Sequence, residues 1–138
     1  MKKTTDLLNE LCESPHIDKY LKNNEDSIID QSLSKHLCQV FEERSISKSE
    51  VIKNSDLNEV YAYQIFAGKR APSRDKIICI CIGAGFSVED TNQALRIAKY
   101  SPLYPKFSRD SIIIYGIHNG HSIWEINKEL YSHQYETL

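Results

Sequence analysis

The stretch from residue 47 to residue 73 limits the fold most tightly, because it encodes two short helices separated by a polar turn. Ser47 is followed three residues later by Glu50, a Ser-x-x-Glu capping box that predicts a helix start. Residues 54–56 (Asn-Ser-Asp) are too polar to continue a buried face. Asn and Asp tolerate the left-handed backbone that a tight turn between helices needs. The first helix should therefore end at this turn.

The second helix has start and stop signals of its own. Asn58 predicts its N-cap, Gly68 its C-terminal stop, and Pro72 forbids continuation. Apolar residues recur between these signals at helical spacing, and they are Val60, Tyr61, Ile65 and Phe66. The whole stretch is a predicted helix-turn-helix.

This pattern resembles the helix-turn-helix of the phage-repressor and Cro-like proteins, the XRE type. In that family a Ser-Gln start is followed by a small residue, a turn Gly, a Ser or Thr cap and an Ile-x-x-Gly-Lys-x-x-Pro-Ser run. The positions in register here, without a gap, are Ile46, Ser47, Val51, Asn58, Ile65, Gly68, Lys69, Arg70, Pro72 and Ser73. The resemblance covers roughly residues 30 to 90 and implies an all-α, repressor-like domain of five helices.

Four residues depart from the family pattern. Lys48 replaces Gln, and Asp56 replaces the turn Gly. Ile52 replaces a small Ala, and Ala62 replaces a large aliphatic residue. In the family the last two positions face each other across the helix crossing, so the two exchanges roughly preserve core volume.

The resemblance also implies which residues would contact DNA. The second helix would lie in the major groove, with the first helix and the flanking basic residues on phosphates. Gln64 could bond an adenine edge, Glu59 could accept from a cytosine amino group, and Val60 could touch a thymine methyl. The expected base contacts are Asn58, Glu59, Val60 and Gln64, and the expected phosphate contacts are Lys48, Tyr61, Lys69 and Arg70.

Each of these residues also has a purely structural interpretation. Asn58 could serve only as a cap, Val60 could pack inward, and Glu59 could simply favour the helix dipole. Tyr61 and Tyr63 are bulky for a base-reading helix and suit a protein-binding surface. The alternative function is therefore an adaptor or antitoxin-like interaction protein, built on a repressor-type fold without strong DNA binding.

The net charge and the distribution of charged residues help to distinguish these two functions. The net charge of −2 is unfavourable for DNA binding, which depends on Lys and Arg contacts to phosphate. Acidic residues concentrate towards the N-terminus, at Asp6, Glu10, Glu13, Asp18, Glu25, Asp26, Asp30, Glu42 and Glu43. Basic residues lie in or beside the motif, at Lys48, Lys53, Lys69, Arg70, Arg74 and Lys76. A continuous surface formed by Lys48, Lys53, Lys69 and Arg70 would support DNA binding, whereas pairing of these residues with the acidic N-terminal residues would support the adaptor.

The segment before the motif predicts three helices. Residues 1–26 form a helical arm, with one helix over 4–13 behind a Thr or Asp cap and another over 16–23. This arm would pack on the domain or lie across a second copy. A helix over 27–44 begins the repressor-like domain, 27–99, and His36 beside its apolar face is expected to be structural.

An internal repeat follows Pro72. Residues 73–95 align without gaps to 108–130, at an offset of 35 residues, and each copy predicts a helical hairpin. The second copy makes residues 100–138 a C-terminal hairpin extension. The apolar runs 77–82 and 112–117 are assigned to helices because Ser caps and Gly stops frame them. The linker aromatics Tyr100, Tyr104 and Phe107 are expected to pack between the hairpins.

The remaining residues carry no catalytic motif, so no enzyme, metal site or cofactor is expected. The four cysteines, Cys12, Cys38, Cys79 and Cys81, are expected to be reduced and mostly buried. No run of 18 apolar residues and no signal segment occurs, so a cytoplasmic protein without membrane contact is expected. The sequence predicts a dimeric bacterial or phage transcriptional regulator that binds double-stranded DNA, with the arm or the C-terminal hairpin available to a protein partner.

Overall fold

The structure is a computed structural model that describes residues 3–24 and 32–138. All secondary structure in these ranges is helical, which confirms the all-α class and the helical assignment of both apolar runs. None of the helices described is long and apolar enough to cross a membrane. The helices are α1 (Thr4–Glu13), α2 (Ile17–Asn23), α3 (Leu33–Glu43), α4 (Lys48–Ser55), α5 (Glu59–Phe66), α6 (Arg74–Gly83), α7 (Val88–Ile97), α8 (Ser108–His118) and α9 (Ile123–Ser132).

Helices α1 and α2 form one compact unit, and α3 to α9 form another. The predicted Thr or Asp cap of α1 is wrong, since the N-cap is Lys3, which makes no side-chain capping bond. Neither α1 nor α2 contains a buried residue. Leu8, Leu11, Ile17 and Leu21 of the predicted apolar faces are exposed, and Leu7 and Tyr20 are partly buried.

Helix α3 begins later than the sequence predicts. The Ser32 hydroxyl accepts a hydrogen bond from the Lys35 N–H at 3.2 Å and so caps a helix that starts at Leu33. The predicted part that contains Ile28 and Ile29 lies outside the described residues. Leu37 and Phe41 are buried in the core. His36 is also buried, and this burial lowers its pKa below the usual value.

Helices α4 and α5 have the predicted starts and the predicted turn between them. The Ser47 hydroxyl accepts from the Glu50 N–H at 3.5 Å, although the return bond that would complete the capping box is missing. Asp56 has φ 57° and ψ 35°, the left-handed backbone expected there. The Asn58 side chain accepts from the Tyr61 N–H at 3.1 Å and caps α5.

Helix α4 packs closely on α6 because α6 ends in a glycine. A Cβ on Gly83 would lie 2.1 Å from Ser55 Oγ and 2.6 Å from the Val51 carbonyl oxygen. Gly83 therefore serves helix contact, and the left-handed turn after α6 is made by Gly85, at φ 72°. This crossing sets the position of α4 on the core.

The two hairpins, α6–α7 and α8–α9, repeat one structure. Helices α7 and α9 are offset by 35 residues at both ends, and each begins with a complete capping box, Ser87 with Asp90 and Ser122 with Glu125. In each hairpin, the side-chain oxygen of an Asn in the second helix accepts a hydrogen bond from a backbone N–H that lies beyond the end of that helix. Asn92 accepts from Leu103 at 2.8 Å, and Asn127 accepts from Leu138 at 2.7 Å. The repeat therefore continues past the segments that align clearly in sequence.

The repeated Ser-Arg-Asp starts tie the hairpins together by exchanging ion pairs. Arg74 donates hydrogen bonds from both terminal nitrogens to the Asp110 carboxylate, at 3.1 and 3.0 Å. Arg109 donates to Asp75 in the same way, at 3.0 and 2.9 Å. Helix α6 also contacts α9, and α7 contacts α8. This reciprocity is the contact pattern of a two-fold pair.

Replacing Gly83 by Ala tests the α4–α6 crossing. We expect the free energy of unfolding to fall by about 1–3 kcal/mol, because the new methyl overlaps α4 backbone. In a helix without such a contact the same change stabilises by roughly 0.5–1 kcal/mol. Urea denaturation measures the difference. Unchanged or increased stability of Gly83→Ala would show that α4 does not approach α6 this closely.

Removing Asp110 tests the exchanged ion pairs. Its side chain is 8 % exposed and also accepts from the Tyr104 N–H. Asp110→Ala should therefore cost about 2–4 kcal/mol, because it leaves the Arg74 charge without its carboxylate and that N–H without an acceptor. Glu129→Ala removes an exposed pair with His133 and is the control, with an expected loss of about 0–1 kcal/mol. Equal losses in the two variants would contradict a structural role for the exchange.

Candidate nucleic-acid interface

Three side chains lie on the exposed face of α5. Two of them are expected to contact DNA, and the third suits a protein partner. Glu59 and Val60 are exposed at its N-terminal end, and the exposed fraction of Val60 is 65 %. Val60 therefore does not pack inward. Tyr63 lies one turn later on the same face and is 42 % exposed. The opposite face fixes the helix in the core through Ala62, Ile65 and Phe66.

Asn58 is only partly available for recognition. Its side-chain oxygen already accepts the Tyr61 N–H, so it is committed to capping α5. Its NH₂ group is still able to donate. An acceptor such as a purine N7 or a phosphate oxygen suits this geometry better than the two-bond contact that Asn makes with adenine.

Tyr61, Gln64 and Arg70 come together on one side of α5. The Arg70 Nε–H donates to Gln64 Oε1 at 3.2 Å, and the Arg70 guanidinium carbon lies 5.8 Å from the centre of the Tyr61 ring. Sequence reasoning placed Gln64 on bases and the other two on phosphates, and did not foresee this contact. The arrangement orients Arg70 and leaves its two NH₂ groups and the Gln64 NH₂ group as donors.

The loop after α5, residues 67–73, is held at both ends. Gly68 has φ 77°, a backbone conformation that favours glycine, and a Cβ there would also lie 3.0 Å from Ser34 Oγ on α3. At the other end the Tyr100 hydroxyl donates to the Pro72 carbonyl oxygen at 3.0 Å. Lys69 and Arg70 are therefore presented by an anchored loop.

Most of the basic residues near the motif are unpaired within the part of the chain that the structure describes. Lys48, Lys53 and Lys69 are exposed, and no ion pair within residues 3–24 and 32–138 involves them or Arg70. Arg74 is the exception. Its ion pair with Asp110 and its bonds to the carbonyl oxygens of 101 and 102 remove it from the available cations. The acidic residues 25, 26 and 30 lie outside the described residues.

Other candidate chemistry is limited. Among the described residues no three His, Cys, Asp or Glu side chains are grouped to hold a metal ion. All four cysteines are free. Burial raises the pKa of Cys79 to about 11 and that of Cys81 to about 12, so both stay protonated thiols. Cys12 is exposed and Cys38 is half-buried, so the expectation of mostly buried thiols holds only for Cys79 and Cys81.

Comparison of the chain with protein-family models, curated proteins and solved structures finds no match. The chain's own geometry is therefore the basis for assigning a function. That geometry presents the exposed residues Glu59, Val60 and Tyr63 on α5, and the chain also exposes cations at Lys48 on α4 and at Lys69 and Arg70 after α5.

Substitutions of Asp56 test whether the turn before α5 has a left-handed backbone. Asp56→Gly should stabilise the protein by about 0.5–1 kcal/mol, because φ 57° is strained for any residue with a Cβ. Asp56→Ala should destabilise it, since Ala lacks the local tolerance of Asp for this region. Urea denaturation of the three proteins gives the order. A loss of stability with Gly would mean that the turn is not left-handed.

Proposed function

We propose that the chain is a sequence-specific DNA-binding transcriptional regulator of the phage-repressor and Cro-like type. In this proposal α3 to α7 are the five helices of the repressor-like domain, and residues 47–66 are its helix-turn-helix. The proposal is supported by the exposed cations Lys48, Lys69 and Arg70, which form no ion pair among the described residues, together with the exposed residues of α5. Such cations supply most of the affinity of a protein for DNA phosphates.

The proposed mechanism divides recognition between two sets of groups. Helix α5 enters the major groove, where Glu59 accepts from a cytosine amino group and Val60 contacts a thymine methyl. Asn58 and Gln64 contribute their NH₂ groups to acceptors on purines. Lys48, Tyr61, Lys69 and Arg70 hold phosphates and fix the register of the helix. Recognition by four side chains of one short helix and its N-cap suits a half-site of a few base pairs.

The protein is proposed to act as a homodimer in the cytoplasm of a bacterium, or of a bacterium that carries a phage. A two-fold dimer would bind an operator whose half-sites lie about one helical turn apart. The C-terminal hairpin and α1–α2 are the segments available for further protein contacts.

A second candidate function is an adaptor or antitoxin-like module. It is favoured by the apolar and aromatic character of the α5 face, where Val60 and Tyr63 are exposed. Tyr side chains are enriched in the energetically dominant positions of protein interfaces. Glu59 on the same face also repels phosphate unless it pairs with a base.

DNA binding at two salt concentrations separates these functions. We expect the full chain to retain random and selected duplexes at low salt and to lose affinity as salt rises. Lys48→Ala combined with Lys69→Ala should weaken binding to all duplexes, with the salt slope smaller by about 0.9 for each phosphate that is no longer neutralised. Lys106→Ala, an exposed lysine in the linker before α8, is the control and should bind normally. Absence of salt-dependent retention would exclude the DNA-binding function.

Base preference is tested with Glu59→Ala and Gln64→Ala in a site-selection assay. Each variant should lose preference at one position of the selected site, at a cost of about 1–3 kcal/mol for the favoured base. The phosphate variants should keep the wild-type preference. If both base variants select the same sequence as wild type, neither residue reads a base.

A further inference from the structure

A groove lies between α8 and α9, with a volume of about 440 Å³. Its apolar lining residues are Ile112, Gly116 and Ile126, of which Ile112 is partly exposed and the other two are buried. Its rim carries Tyr115, His121 and Glu129, and Tyr115 is 65 % exposed. None of the proposed DNA contacts lines this groove.

The repeat identifies the same place on the first hairpin. At the offset of 35 residues, the positions that correspond to Ile112, Gly116 and Ile126 are Ile77, Cys81 and Thr91. All three are fully buried, and Gly116 and Ile126 are buried as well, so at these positions the hairpins differ only in Ile112, which is partly exposed. The rim positions Tyr115 and His121 correspond to Ile80 and Phe86, which are buried as well. The first hairpin therefore has the same groove, but it is filled.

Helix α3 helps to fill the groove of the first hairpin, and two of its side chains define the contact. The Phe41 ring lies 6.1 Å from the Phe86 ring, between centroids. Three residues later, Arg44 makes a two-bond ion pair with Asp90, at 2.7 and 3.1 Å, and lies 5.4 Å above the Phe86 ring. An aromatic residue followed at the third position by an arginine is thus the signature of the helix that this hairpin accepts.

The second hairpin keeps the receiving groups for such a helix. Glu125 corresponds to Asp90, and both are the acidic member of a capping box. Bonds from Ser122 hold the pKa of Glu125 below its usual value, so it is ionised at neutral pH. No cation within the described residues forms an ion pair with Glu125. Glu129, which stands where the first hairpin has Ala94, is the carboxylate that lines the groove itself, and Glu125 lies one helical turn before it.

We propose that this groove binds an amphipathic helix of a partner protein that presents an aromatic residue and, three positions later, an arginine or lysine. The aromatic side chain packs on the exposed parts of Ile112 and Tyr115 beside His121, and the cation pairs with Glu125. A single helix is the occupant, because His118 stands where Gly83 admits α4 on the first hairpin, and its side chain blocks a second helix at that distance. This surface is separate from the proposed DNA contacts, so either function can fail without the other.

The probe is a helix-stabilised peptide of residues 33–45, with Cys38→Ala to avoid oxidation, added to the full chain. Because the peptide carries Phe41 and Arg44, we expect NMR shifts at Ile112, Gly116 and His121 that saturate with concentration. A control peptide with Phe41→Ala and Arg44→Glu should cause none. Equal shifts with both peptides, no shifts, or shifts confined to α6 and α7 would overturn the proposal. The last pattern would mean that the peptide only displaces α3.

Three variants of the full chain assign the contacts. Tyr115→Ala should weaken peptide binding about tenfold, as expected for a large aromatic side chain at an interface. Glu125→Gln keeps the capping box, because Gln also satisfies it, and should weaken binding about two- to fivefold through loss of charge alone. Tyr131→Ala, which removes a more exposed tyrosine of α9 outside the groove, is the control and should bind normally. Binding that ignores Tyr115 and Glu125, or depends on Tyr131, would place the peptide elsewhere and overturn the proposal.

Discussion

The burial of α6 is the constraint on which the larger unit depends. From Ile77 to Cys81 every residue of this helix is buried, so it is apolar around its whole circumference and needs neighbours on all sides. Those neighbours are α4, α7 and α9. A helix of this kind is fully stabilised only when all of its faces are covered, because apolar surface that stays in contact with water contributes no free energy of burial. The second hairpin is therefore part of the core and covers α6 on the side that α4 and α7 leave open.

This core determines the placement of the candidate interface. Helix α4 is held against α6 through Gly83, and α5 is held against α3 by its own buried face, Ala62, Ile65 and Phe66. The exposed residues of α5 are thus carried by a helix with little freedom to rotate. Such rigidity suits recognition of a fixed surface, whether a DNA groove or a partner protein, since side chains on packed helices need little ordering on binding.

The sequence was sufficient to predict elements with local causes. Caps such as Asn58 and Ser87, the left-handed turn at Asp56 and the hairpin repeat each depend on residues only a few positions apart. Contacts between distant residues could not be predicted in this way. The ion pair of Arg74 with Asp110, and the contact of Arg70 with Gln64, depend on where packing brings side chains that sequence alone leaves independent. The repeated Ser-Arg-Asp was visible as a pattern, but its meaning required knowing that the two copies face each other.

The exchange of ion pairs between the hairpins has an evolutionary consequence. When a segment is duplicated within one chain and its copies contact each other reciprocally, a contact typical of two molecules becomes a contact within one, and it forms at any protein concentration. Here the charged helix starts, with Arg74, Asp75, Arg109 and Asp110, are already satisfied by the chain itself. To bind there, a second molecule would have to displace the other hairpin of the same chain. Any homodimer must therefore associate through a different surface, and the duplicated hairpin behaves as a built-in partner.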